Sequence, residues 1–104
     1  MRVPFPHVER PVMVPRPALV LTPRPVGPDG LLLWAVMITN AARSSWPGDV
    51  PIVDAERLGL LIPSKIRTAK IVAAETASAS RIGRLDEETL GTVLRLVRSY
   101  LDFD

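Results

Sequence analysis

Residues 18–39 read Ala18-Leu19-Val20-Leu21-Thr22-Pro23-Arg24-Pro25-Val26-Gly27-Pro28-Asp29-Gly30-Leu31-Leu32-Leu33-Trp34-Ala35-Val36-Met37-Ile38-Thr39. Ala18 to Thr22 is a short apolar run bounded by Pro17 and Pro23, and that length with those boundaries marks a buried strand. Gly27-Pro28-Asp29-Gly30 is a turn, because Asp and Gly supply the backbone freedom a reversal needs. Leu31 to Thr39 is then the returning strand. The stretch predicts a β-hairpin at the centre of a mainly β fold.

The chain N-terminal to this hairpin is rich in proline, which fixes φ and gives no N–H. Prolines at 4, 6, 11, 15 and 17 place strand edges and loops there and exclude a long helix. On the C-terminal side, Asn40 to Asp49 is polar, contains Pro47-Gly48, and reads as a loop. Pro51-Ile52-Val53 is a brief strand. Asp54 is placed to cap one helical turn through Arg57 that ends at Gly59. Ile66 to Val72 and Ala73 to Ala77 form one or two further strands. Asp86 then precedes Glu87 and Glu88, which put negative charge where a helix dipole favours it. Leu90, Val93, Leu94, Val97, Tyr100 and Leu101 recur at spacings of three and four, giving one apolar face to a helix over about 87–101. Such a helix packs on a small, strongly curved sheet.

Composition bounds the function loosely. The chain has 104 residues, enough for one domain over 1–104, with a β portion to about residue 80. Its apolar fraction of 47% fits a globular protein. The absence of cysteine excludes disulfide frameworks, zinc–thiolate sites and thiol nucleophiles, and fits a reducing cytoplasm. No secretory signal pattern is expected in MRVPFPHVERP, and no apolar run is long enough to cross a bilayer. The net charge is only +2, but residues 86–104 carry two basic and five acidic groups, so the rest of the chain is basic. A basic body suits a polyanion such as RNA.

The order of several short motifs resembles toxins of the MazF/PemK family. These are Phe5-Pro6; Arg16-Pro17 opening the run to Leu21; Ala35-Val36-Met37-Ile38-Thr39; Trp46-Pro47-Gly48-Asp49-Val50; Gly59-Leu60 with Pro63-Ser64-Lys65-Ile66-Arg67; and Gly83-Arg84-Leu85. The resemblance spans essentially the whole chain. One departure is Lys70-Ile71-Val72-Ala73, where many members have Gln-Ile-Arg-Thr; Lys70 takes the place of a glutamine and Val72 that of an arginine.

The resemblance implies a small SH3-like barrel of the CcdB/MazF kind with a C-terminal amphipathic α-helix, acting as a cytoplasmic homodimer. It implies a toxin of a type II toxin–antitoxin system, held by a cognate antitoxin. The implied activity is endoribonucleolytic cleavage of single-stranded RNA without metal or other cofactor. The RNA's 2′-hydroxyl attacks the phosphorus and leaves a 2′,3′-cyclic phosphate and a 5′-hydroxyl. Arg16 stands at the family's catalytic arginine, with Thr39 second and Ser64 and Arg67 third as phosphate ligands or acid–base groups. An arginine suits the charge that grows on a five-coordinate phosphorus. His7, Trp46, Lys65 and Lys70 are the expected RNA- or antitoxin-binding residues. His7 has the one ordinary pKa suited to neutral proton transfer, and Asp49 and Glu75 are further possible bases. Two alternatives stay open: a CcdB-like gyrase poison of the same fold, and a non-catalytic SH3-like interaction module.

Overall fold

The computed structural model describes residues 2–7 and 10–102. Five antiparallel strands, β1 (Arg2–His7), β2 (Arg10–Val20), β3 (Leu32–Asn40), β4 (Asp49–Pro51) and β5 (Ser64–Glu75), precede one helix, α1 (Glu87–Tyr100). The strand order is β1-β2-β3-β5-β4. No ladder joins β4 back to β1 among the described residues, so the expected barrel is an open, curved sheet. No helix of the described residues is long and apolar enough to cross a membrane.

The central hairpin forms, but its first strand, expected at Ala18–Thr22, starts earlier, at Arg10, runs through Pro17 and ends at Val20. Ala18, Leu19 and Val20 pair with Met37, Val36 and Ala35. In the connection, Asp29 and Gly30 adopt φ of 53° and 67°, the left-handed conformation for which that dipeptide is suited. The prolines of the N-terminal third are tolerated because β1 is an edge strand. The proline-bearing part of β2 pairs with β1 alone, Pro15 lying opposite Pro4 and Pro17 opposite Arg2.

Two further expectations shift. The strand placed at Pro51–Val53 lies two residues earlier, at Asp49–Pro51, with Asp49 opposite Arg67 and Val50 opposite Ile66. Of the one or two strands expected over 66–77 there is one, β5, which ends at Glu75 before a 3-10 turn at Thr76–Ser78 and whose pairing with β3 jumps from Arg67–Met37 to Ile71–Val36. Thr68, Ala69 and Lys70 fall in that jump as a bulge. The turn at Ala55–Leu58 exists, but Asp54 makes no capping hydrogen bond there. Its own left-handed backbone turns it toward an exposed pairing with Arg57 at 3.9 Å instead.

The helix caps as its sequence dictates. Asp86 accepts hydrogen bonds from the Thr89 N–H and hydroxyl, both at 2.9 Å. Val93 is fully buried against Val36, Val50, Ile52 and Ile66, with Leu96 and Val97 beside it. The last turn departs from the apolar stripe: Tyr100 and Leu101 remain 48% and 62% exposed. Tyr100 instead anchors through its hydroxyl, 2.7 Å from the Thr68 hydroxyl.

Candidate functional site

The β2–β3 ladder begins at Ala18 opposite Met37. Carried two residues back, that register puts Arg16 level with Thr39. Pairing stops short of them because Pro17 has no N–H to give. A cleft of about 430 Å³ opens where the two strands part. Arg16 and Thr39 line it, joined by Asn40 from the end of β3, Arg43 from the following loop and Ser64 from the start of β5. Ser64 arrives there because it pairs with Asn40 across the β3–β5 ladder. The remaining wall is the apolar ridge Leu60–Leu61–Ile62, on which Leu61 is 92% exposed.

The lining has two guanidinium groups and no carboxylate among the described residues. Neither Arg16 nor Arg43 has an ion-pair partner among the described residues. A cleft of this kind attracts anions, and a planar guanidinium meets phosphate oxygens two at a time. Ser64 is less free. Its hydroxyl donates to the Ile62 carbonyl at 2.8 Å, so its proton is spent on holding the ridge.

The structure therefore brings Arg16, Thr39 and Ser64 together and sets Arg67 and Lys65 apart. Arg67 Nε and Nη2 donate to the two oxygens of Asp49 at 3.1 and 3.0 Å, and Nη2 also donates to the Ser44 carbonyl at 2.7 Å. Its guanidinium lies 4.1 Å from the Trp46 ring centroid. Lys65 Nζ donates to the Arg43 carbonyl and lies 3.4 Å from Asp49. The side chains of Lys65, Arg67 and Asp49 are all under a tenth exposed. Register explains the cluster: Asp49 and Arg67 are cross-strand neighbours, and Lys65 is two residues along on the same face. Asp49 is held down at about 2, chiefly by the Arg67 hydrogen bonds acting against burial, which makes it a poor base at neutral pH.

The other expected residues are dispersed. Trp46 covers Arg67 with one face and is 43% exposed. Lys70 is exposed in the β5 bulge, and Glu75 is exposed at the end of β5 opposite Leu32. His7 ends β1, and its side chain lies outside the described part of the structure. Asn40 and Arg43 belong to the cleft and were not anticipated. The only signal they gave was a cationic residue in a polar loop directly after Thr39. Among the described residues no three histidine or acidic side chains converge on a common point.

A family model described as PemK-like, MazF-like toxin of type II toxin–antitoxin system matches residues 2–101. Among solved structures, the chain is similar to Mycobacterium tuberculosis toxin MazF-mt6, with a TM-score of 0.68 and 23% identity, covering 100% of this chain and 99% of that one. At that identity the likeness speaks to the fold. No curated protein matches the sequence.

Proposed function

The chain belongs to the family of PemK-like, MazF-like toxins of type II toxin–antitoxin systems, and from that premise we propose that it is an endoribonuclease cutting single-stranded RNA. The observation that carries the proposal is the cleft in which Arg16 and Thr39 face a common space without an acidic neighbour. An RNA phosphate entering it meets a guanidinium and a hydroxyl at one point.

In this reading the 2′-hydroxyl next to the scissile phosphate attacks phosphorus as the bond to the 5′-oxygen breaks. The attacking oxygen gives its proton to solvent water, and the departing 5′-oxygen takes one from solvent water, so the proton count balances. The products are a 2′,3′-cyclic phosphate and a 5′-hydroxyl. Arg16 holds the non-bridging oxygens, on which charge accumulates in the transition state, and remains protonated throughout. The Thr39 hydroxyl donates to the same phosphate. Ser64 acts through the wall it fixes. Arg67, Lys65 and Asp49 act at one remove, by holding the loop beside the cleft. The proposed reaction is metal-independent, with Arg16 supplying the positive charge beside the phosphate. A cognate antitoxin would cover this cleft, a second copy of the chain would complete a homodimer, and the setting would be the cytoplasm.

The test is incubation of the purified protein with mixed single-stranded RNA in EDTA. Discrete products with 5′-hydroxyl ends, lost in Arg16→Ala, are expected. A correctly folded protein that cuts no RNA overturns the proposal, and growth arrest relieved by excess gyrase would favour a gyrase poison instead.

A further inference from the structure

Arg43 stands in the one segment around the cleft that surface chemistry alone would leave loose. Residues 41–47 are all exposed and polar or small for the most part, the kind of connection that is ordinarily mobile. From Ala41 to Ser44 the backbone is tied at five points. The Ala41 N–H donates to the Pro63 carbonyl at 2.9 Å, the Ala42 N–H to Asn40 Oδ1 at 2.9 Å and the Arg43 N–H to the Asn40 carbonyl at 3.0 Å. The Arg43 carbonyl accepts from Lys65, and the Ser44 carbonyl from Arg67. The last two ties come from buried cations, which are costly groups to place in a protein interior. Two buried cations and one buried carboxylate thus serve to fix the path of an exposed loop. The side chain this path presents to the cleft is Arg43.

We propose that Arg43 is a second phosphate-binding residue, taking the phosphate next to the scissile one, so that the cleft recognises a run of at least two phosphates. The inference rests on the nuclease reading for the identity of the first phosphate. Each phosphodiester carries one negative charge, so a lining with two guanidinium groups and no carboxylate among the described residues is neutralised by two of them. Asn40 and its turn set the Arg43 backbone before RNA arrives, which lowers the ordering cost of binding.

The experiment compares wild type, Arg43→Ala and Arg43→Lys on an oligoribonucleotide carrying one cleavage site. A second set of substrates has an uncharged methylphosphonate in place of the phosphate on either side of that site. Binding of each protein to 2′-O-methyl RNA, which cannot be cut, is measured in parallel. Arg43→Ala should raise KM on the natural substrate about tenfold, with kcat changed less than about threefold, a KM-dominated split expected when a phosphate contact is lost. The slope of log KM against log salt should fall by about 0.7, the value for one contact to a single strand. On one of the two methylphosphonate substrates the gap between wild type and variant should close. Arg43→Lys should retain part of the binding. An unchanged KM and salt slope in folded Arg43→Ala, or an equal gap on both neutralised substrates, overturns the inference while leaving the nuclease reading intact. If wild type cuts no RNA but binds 2′-O-methyl RNA through Arg43, the nuclease reading falls and the phosphate contact stands. If it neither cuts nor binds, both fall.

Discussion

Arg67 grips Asp49 through two hydrogen bonds, at 3.1 and 3.0 Å, from directly opposite positions on β5 and β4. The pair is buried, stacked under Trp46 and shared with Lys65. Every oxygen of Asp49 is engaged, since the Trp46 N–H donates to it as well at 3.0 Å. Removing Arg67 leaves the buried Asp49 with only Lys65 at 3.4 Å and the Trp46 N–H, a partial compensation, and costs about 3 kcal/mol, the low end for breaking a buried pair. Arg67→Ala should therefore lower unfolding free energy by about that amount in urea titration. Arg67→Lys should recover only part of it, because a single ammonium cannot reproduce the two-pronged contact.

The same pair makes stability depend on acid. The Asp49 carboxyl sits at about 2 in the folded chain against an ordinary value of 3.8. A depressed folded value contributes stability that is complete above the unfolded value and disappears as pH falls through the folded one. The contribution of roughly 2 kcal/mol is thus present above about pH 4 and lost between there and about pH 2. An NMR titration of the Asp49 carboxyl carbon should give a midpoint near 2. A midpoint close to 4 would show the pair to be loose in solution.

Gly48 and Tyr100 are coupled by space. Gly48 has φ of +88°, and a Cβ built on it would stand 2.7 Å from the Thr68 hydroxyl and closer still to that of Tyr100. Thr68 donates its one proton to the Gly48 carbonyl at 2.6 Å, so the Tyr100 hydroxyl is the donor in the 2.7 Å bond to Thr68. Gly48→Ala should cost about 2–3 kcal/mol from backbone strain and the displaced hydroxyl. Tyr100→Phe should cost about 1 kcal/mol. In the Tyr100→Phe background the glycine substitution should cost less, a positive coupling that a double-mutant cycle in thermal denaturation would measure.

How far these features can be read from sequence depends on how local their causes are. The central hairpin and the Asp86 cap lie within short stretches and follow from turn chemistry and periodicity. Lys65 and Arg67 do not. Two cations alternating with Ser64, Ile66 and Thr68 look like a solvated face, and only Asp49, arriving from another strand, makes their burial tolerable. Asp49 in turn reads as the end of a loop, so local pattern alone places β4 two residues late. For the site, Arg16, Thr39 and Ser64 came from family resemblance, whereas Arg43 fell outside every motif. Its place in the cleft depends on ties to Pro63 and Lys65, about twenty residues further along the chain.

The Asp86 cap offers a control on the helix alone. Asp86→Ala removes the acceptor for the Thr89 N–H and should lower the melting temperature. The Thr89 hydrogen bonds hold the Asp86 carboxyl below the ordinary carboxylate range, so this loss should be largest well above that range and fade in acid. Helix α1 lies away from the cleft, so RNA cleavage per folded molecule should be unaffected.

Arg16 and Thr39 meet the same phosphate in the proposed reaction, and that makes a stronger claim than either substitution by itself. Arg16 is exposed and Thr39 is half-buried next to the end of its strand, so Arg16→Ala and Thr39→Val should melt close to wild type. Arg16→Ala should lower kcat about 10²–10³-fold, the range for loss of one transition-state donor. Thr39→Val should cost about tenfold or more. If both groups act on one developing charge, the double variant should be no worse than a few-fold beyond Arg16→Ala, since residues that work as a unit fail non-additively. Independent roles would instead multiply the two losses. Single-turnover cleavage of one oligoribonucleotide by the four proteins distinguishes the cases, and a fully multiplicative result would move Thr39 away from the scissile phosphate.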